Sequence, residues 1–307
     1  MIVFWIFAAI GGLGLAVLSS GRTLDSATAL ARRLGLSPFI IGMTIVAIGT
    51  DLPEIANSIT ASAGGHGDVN VGDSIGSVVT QLTLVAGLLC FLMPIKIERR
   101  PVAIAGWMTV LAVLLGAGLL SDDRLSRTDG LILIGFWALG TWIVQHGGHV
   151  VTHEQTQMFK RNAFVEIRDL IVGLSGVAVG AILLVQGFIH VAESLGVPEY
   201  ATSFLVLSLG TSVPELVIDG RAIRRGQAGL AMGDIVGSSF VDATISLGIG
   251  PALFPTMVSS DAKVGSLIAA VVVLLAIAFL AYRPIHDRRS GALLIALYAS
   301  CYTLLLV

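Results

Sequence analysis

Two short segments carry the residues best able to do chemistry in this chain. They are Gly49-Thr50-Asp51-Leu52-Pro53-Glu54 and, 161 residues later, Gly210-Thr211-Ser212-Val213-Pro214-Glu215. A second pair keeps the same offset: Gly72-Asp73-Ser74-Ile75-Gly76-Ser77 and Gly233-Asp234-Ile235-Val236-Gly237-Ser238. All four lie within long apolar runs. A charged side chain there costs at least ~2.5–3.5 kcal/mol on insertion scales, so an acid in such a run reads as functional. Here the cost recurs in register, which an isolated structural accident would not do. The groups on offer are all oxygens: Thr50, Asp51 and Glu54 on one segment, Thr211, Ser212 and Glu215 on the other. Ser77 with Gln81, and Ser238 with Asp242, add two further pairs, each four residues apart and therefore on one helix face. Carboxylate, hydroxyl and carbonyl oxygens suit hard cations such as Ca2+, which takes about six to eight of them. No His or Cys stands among these positions, which argues against a zinc or copper centre.

The elements that must position these oxygens are membrane helices. Only 12% of the 307 residues are charged and 55% are hydrophobic, against roughly 25% charged in soluble domains. Mean hydropathy is +0.91. A net charge of −2 argues against a nucleic-acid partner. Spans of about 20 residues are expected near 2–20, 37–62, 70–94, 101–120, 129–146, 167–192, 200–220, 228–255, 264–282 and 291–306. The first begins at Ile2 with no basic stretch before it, and it is read as a retained helix. Fifteen of the 18 basic residues fall in the odd-numbered connections; Arg124, Arg127 and Lys263 fall in the even ones. Because positive loops stay cytoplasmic, both termini are expected outside. Five helices per half is an odd number, so the second half enters the membrane upside down. That inverted-topology plan forms substrate sites from interrupted helices near the midplane. Residues 1–146 form the expected first repeat, 147–166 a cytoplasmic connection and 167–307 the second repeat. Pro53 and Pro214 are expected to interrupt their helices and to free carbonyls around Ala47 and Ser208.

Gly-Thr-x-x-Pro-Glu followed by Gly-x-x-x-Gly-Ser, present twice and with Ser after the Thr in the second copy, resembles the two α-repeats of the cation/calcium exchanger superfamily, nearest its sodium/calcium exchanger branch. The likeness covers 44–88 and 205–250 most strongly, and the ten-helix layout carries it over the whole chain. It implies an all-α membrane fold and secondary antiport by alternating access, with Na+ and Ca2+ competing for one cluster. It also implies Glu54 and Glu215 as central bidentate ligands, flanked by Thr50, Thr211, Ser212, Ser77 and Ser238 and by the carbonyls of Ala47 and Ser208. Asp242 falls where relatives carry Asp or Asn. The transported ions would be cargo, with no cofactor. Proton-coupled relatives of this superfamily carry an Asn-containing run in place of Pro-Glu, so sodium coupling leads and H+, or another cation, is the alternative.

The chain departs from that pattern at several positions. Asp51 replaces a Ser, Gln81 an Asn or Asp, Val78 and Ser239 an Asn, and Asp73 and Asp234 the Asn of Gly-Asn-x-x-Gly-Ser. The last change is read as an acid suiting a helix N-terminus. Asp51 raises the cluster to four carboxylates with Glu54, Glu215 and Asp242, and so many like charges are expected to retain a proton when no cation is bound. Asp219 is read two ways, as lining the inner vestibule or as pairing with the basic loop after it. His146, His149, His153 and Glu154 are read as a polar loop, His66 and Asp68 as solvated, Trp5 and Tyr302 as interfacial anchors, and Cys90 and Cys301 as packing residues. A channel is disfavoured because four deep carboxylates would hold a divalent ion too tightly for conduction. No nucleophile–base pair or cofactor loop points to an enzyme.

Overall fold

Ser37 and Pro38 show how the interrupted helix begins. The Ser37 hydroxyl accepts from the Ile40 amide at 3.3 Å, and Pro38 takes the first helical position, where a missing N–H costs nothing. The computed structural model describes residues 2–147, 163–194, 210 and 212–305. The expectations for His149, His153, Glu154, Ser208, Thr211 and Val307, and for the Tyr302 side chain, lie outside the described residues. Helix α1 is Ile2–Leu34. Helix α2, Pro38–Thr50, and α3, Leu52–Ala63, meet at a 47° bend. Then come α4 (Gly67–Leu92), α5 (Arg99–Leu119) and α6 (Arg127–Gly147). After α7 (Ala163–Ser194) follow α8 (Val213–Arg224), α9 (Ala228–Leu253), α10 (Ser260–Tyr282) and α11 (Arg288–Leu305). Helices α1, α3, α4, α5 and α6 each start 161 residues before α7, α8, α9, α10 and α11. Among the described residues, six helices are long and apolar enough to cross a membrane, or seven with α2–α3 counted as one span.

One expectation about these helices changes. The first helix does not end near residue 20. It continues for 33 residues, about 50 Å at 1.5 Å per residue, because its polar stretch is satisfied from within and from neighbours. Ser20, Thr23 and Thr28 hydroxyls donate to carbonyls one turn back, and Asp25 and Arg33 pair with Arg225 and Glu166. The interruption expected at Pro53 is present. The helix stops at Asp51 (φ −84, ψ 8) and restarts at Leu52, so Pro53 stands in a first turn whose amides need no intrahelical acceptor. Ser212 (φ −83, ψ 7) and Pro214 repeat that arrangement at α8.

Four short strands tie the connections. β1 (Ile95–Lys96) pairs antiparallel with β4 (Ile285–His286), and β2 (Arg124–Leu125) with β3 (Thr256–Met257). β1 and β3 hold equivalent positions in the two halves, as do β2 and β4, yet each strand pairs with the non-equivalent one. Since α5 leads from β1 to β2, the two ribbons close opposite ends of the bundle. Lys96, Arg99, Arg283, Arg288 and Arg289 gather at the β1·β4 end; Arg124, Arg127 and Lys263 lie at the other. Expected to be merely solvated, Asp68 instead accepts the Ser259 amide at 2.7 Å, fastening the α3–α4 turn to the start of α10.

Helices α4 and α9 run through the centre. Their apolar stretches are 72% and 83% buried within the protein, against 17% for α1. α9 lies backbone to backbone on α2: a methyl group on Gly233 would strike the Phe39 carbonyl, and one on Gly237 the Met43 backbone. That close approach brings the polar face of α9 to the break at Asp51.

Candidate cation site

The breaks and the central helices converge. Thr50 ends α2, Asp51 is the break itself, and Glu54 lies in the first turn of α3. Ser212 and Glu215 hold the same places before and within α8. Asp51, Glu54, Glu215, Asp242, Ser77, Gln81 and Ser238 have no solvent exposure, and Thr50 and Ser212 have almost none. Asp51 has Asp242, Glu215 and Glu54 as its charged neighbours. Glu54 has Asp242, Glu215 and Asp73. Among the described residues none of the carboxylate oxygens of Asp51, Glu54 and Glu215 meets a basic group or an amide side chain; Glu215 has Asp51 and the Thr50 hydroxyl beside it.

The flanking oxygens are tied across the two halves. Thr50 Oγ1 meets Ser238 Oγ at 3.1 Å and donates back to the Ala47 carbonyl at 3.0 Å. Gln81 Nε2 donates to Asp242 Oδ2 at 3.0 Å, and Gln81 Oε1 accepts from Ser239 at 3.0 Å. Gln81 and Asp242 each open a one-turn π-helical segment, Gln81–Val85 and Asp242–Ser246. Such bulges re-aim side chains and concentrate at functional sites. Thr83 and Thr244 bond back to the carbonyls of Val79 and Phe240, a pattern that bends helices. A Thr two residues after each of these polar ligand positions was the available sequence signal for the bulges, and it is a weak one.

Several readings are corrected. The Ala47 carbonyl is not freed: it accepts from the Asp51 amide and from Thr50 Oγ1. Pro53 instead leaves the Gly49 carbonyl without its usual donor. Asp73 and Asp234 are more than acids suiting a helix N-terminus. Asp73 is buried and accepts from Asn57 Nδ2 at 2.6 Å, and Asp234 is fully buried. Asp219 does not pair with the basic loop. It is fully buried and faces Asp234, while Arg221 donates to the Val17 carbonyl and the Ser20 hydroxyl and Arg225 pairs with Asp25. Among the described residues His146 bonds to the Trp142 carbonyl one turn back and packs against the Trp142 ring.

Four uncompensated carboxylates in a dry interior are strongly unfavourable; the effective penalty is several kcal/mol for each buried ion. The arrangement therefore calls for cations or protons. Among the described residues no three acidic, His or Cys side chains close tightly enough to hold a metal ion alone. A cation here would draw on hydroxyl, amide and carbonyl oxygens as well.

The sequence model of the family described as sodium/calcium exchanger protein matches residues 3–145 and 169–307. The chain belongs to the sodium/calcium exchanger family. The exchanger is 31% identical over 270 residues to an uncharacterised membrane protein of Methanocaldococcus jannaschii, covering 88% of this chain and 87% of that one. It is 26% identical over 289 residues to sodium/calcium exchanger MaX1 of Methanosarcina acetivorans, covering 81% and 83%. Its fold superposes on the sodium-calcium exchanger NCX_Mj soaked with 2.5 mM Na+ and 1 mM Sr2+, with a TM-score of 0.84, 28% identity and 99% of both chains covered. On the same protein soaked without Na+ and Ca2+ the TM-score is 0.83 at 27% identity. The exchanger is therefore an all-helical, multi-pass membrane transporter for cations and not an enzyme; its ions are substrates rather than cofactors.

Proposed function

We propose that this exchanger moves Ca2+ against Na+ across the cell membrane by alternating access, the two ions competing for one mid-membrane cluster. The single observation that carries the reading is the group of Asp51, Glu54 and Glu215 at two matched helix breaks with Asp242 beside them on α9, all fully buried and with no basic partner among the described residues. Glu54 and Glu215 act as the central ligands. Asp51, Asp242, Thr50, Thr211, Ser212, Ser77, Ser238 and Gln81 complete the shell, with the Ser208 carbonyl. The scaffold is ten spans in two inverted repeats of five, 1–146 and 167–307, joined by a cytoplasmic connection, with both termini outside. The constant offset of helix starts and the exchanged strand pairing favour this plan, and the gathering of basic residues at the β1·β4 end favours that end as cytoplasmic. The test is flux in proteoliposomes with Na+, K+ and H+ gradients imposed separately. Ca2+ uptake driven by an outward Na+ gradient supports the reading; uptake indifferent to Na+ overturns it. A second couple, H+ against Ca2+, is favoured by one observation: Asp51 adds an acid where the family pattern has Ser. In that case a pH gradient alone drives uptake.

A further inference from the structure

The central cluster does not use all the buried acid. Asp219 lies one turn beyond Glu215 on α8, and Asp234 lies one turn before Ser238 on α9. Both are completely buried. Their carboxyl groups face each other, and Glu215 is the next charged neighbour of both. Among the described residues neither oxygen of Asp219 nor Asp234 Oδ2 meets an amide, hydroxyl or basic donor, so the two carboxyl groups have chiefly each other; Asp234 Oδ1 is approached by the Ser238 hydroxyl at 3.5 Å. The arginines that follow do not neutralise the pair: Arg221 is engaged with Val17 and Ser20, Arg224 is exposed at the end of α8, and Arg225, just past it, pairs with Asp25.

We propose that Asp219 and Asp234 form a second cation site, taking a hard divalent ion such as Ca2+, one helical turn from Glu215 toward the α8–α9 turn. The inference rests on the cation-exchange reading above and adds a station to it. Two facing carboxylates without a counter-charge repel, and burial removes the water that would screen them. One divalent ion neutralises both, whereas a monovalent ion leaves a charge unmatched. The other half of the molecule supplies an internal control. At the equivalent positions α3 and α4 carry Ser58 and Asp73, and the lone acid there is held by the Asn57 amide at 2.6 Å. The two-carboxylate set therefore exists on one side of the centre only. It does not close with Glu215 into a three-acid clasp, so the Ser238 hydroxyl and water complete the shell. The ion is held loosely enough to leave, as transit requires. A cation travelling between the centre and the basic end of α8 meets this pair.

The experiment is equilibrium binding of radioactive Ca2+ to the purified full chain in Na+-free detergent buffer. Wild type is expected to bind a second Ca2+, weaker than the first by about tenfold or more. Asp219→Ser, which installs the residue of the equivalent position, should lose the weaker event and keep the tight one, as should Asp234→Asn. Glu54→Gln should lose the tight event and keep the weaker. A Ca2+-dependent rise in melting temperature checks that each variant is folded; removing a repelling charge should also raise the melting temperature without Ca2+. Two undiminished binding events in Asp219→Ser, or a single event in wild type, overturn the second site and leave the exchange reading standing. No Ca2+ binding by wild type overturns both.

Discussion

Asp51 stands where two half-helices part, within the electrostatic reach of three other acids. Its physical consequence is charge: with Asp51 ionised the cluster offers more negative charge than one Ca2+ neutralises. Asp51→Ser is therefore expected to preserve exchange but to weaken apparent Ca2+ affinity by about tenfold, the equivalent of ~1.4 kcal/mol. Ca2+ uptake measured against Ca2+ concentration, with and without Na+, checks this; unchanged affinity and ion selectivity would place Asp51 outside the ion's path. Glu54 and Glu215 carry a heavier load, each being the acid of its own break. Removing one member of a buried charged contact costs roughly 2–5 kcal/mol. Glu54→Gln and Glu215→Gln should each lower Ca2+ flux by a hundredfold or so while the protein still inserts, and near-normal flux in either would make the motif purely structural.

Elements set these residues in place through contacts that tolerate little change. α9 rests on α2 through Gly237, whose Cβ would strike the Met43 backbone. Overpacking of this kind costs about 1–3 kcal/mol, so Gly237→Ala should lower the melting temperature and the yield. Gly229→Ala on the same helix meets nothing within 4 Å and should not. At the β1·β4 ribbon, His286 is buried, and its Nε2 lies 3.1 Å from the carbonyls of Leu280 and Arg283. Burial lowers its pKa from the ordinary 6.5. The unfolded chain then takes up a proton that the folded ribbon refuses, so stability is fully present above 6.5 and declines as pH falls below it. His286→Gln keeps a donor for those carbonyls and should remove that part of the acid sensitivity. Melting curves across the range, wild type against variant, measure the difference.

The whole molecule turns on how two similar halves meet. Ribbons formed from non-equivalent strands at opposite ends of α5 are what a two-fold axis in the membrane plane produces. Cysteines introduced at position 66 or 307 should therefore be labelled from outside the cell, and those at 160 or 225 only from inside; the reverse pattern would remove the inverted-repeat plan. The halves are alike but not identical. One holds its extra acid with Asn57, and the other sets two acids face to face. The buried carboxylates on the two sides of the centre are accordingly unequal in number and in partners.

Membrane class, the duplicated motif, the oxygen chemistry and the acids at 51, 54, 215 and 242 were all legible along the chain. Each depends on composition or on spacing within one turn, and the repeat made the signal visible twice. Where the polar side chains go was decided by packing between distant segments. Asp73 and Asp234 read as ordinary helix-end acids until α3 and α8 were laid against them. Gln81 read as an oxygen paired with Ser77 along its own helix, until Asp242 and Ser239 closed on it. α1 read as ending where its polar residues began, because the partners that satisfy Asp25 and Arg33 are Arg225 and Glu166, at least 130 residues away. A buried polar group is tolerable only with a partner or a cation, and only the tertiary fold chooses between them.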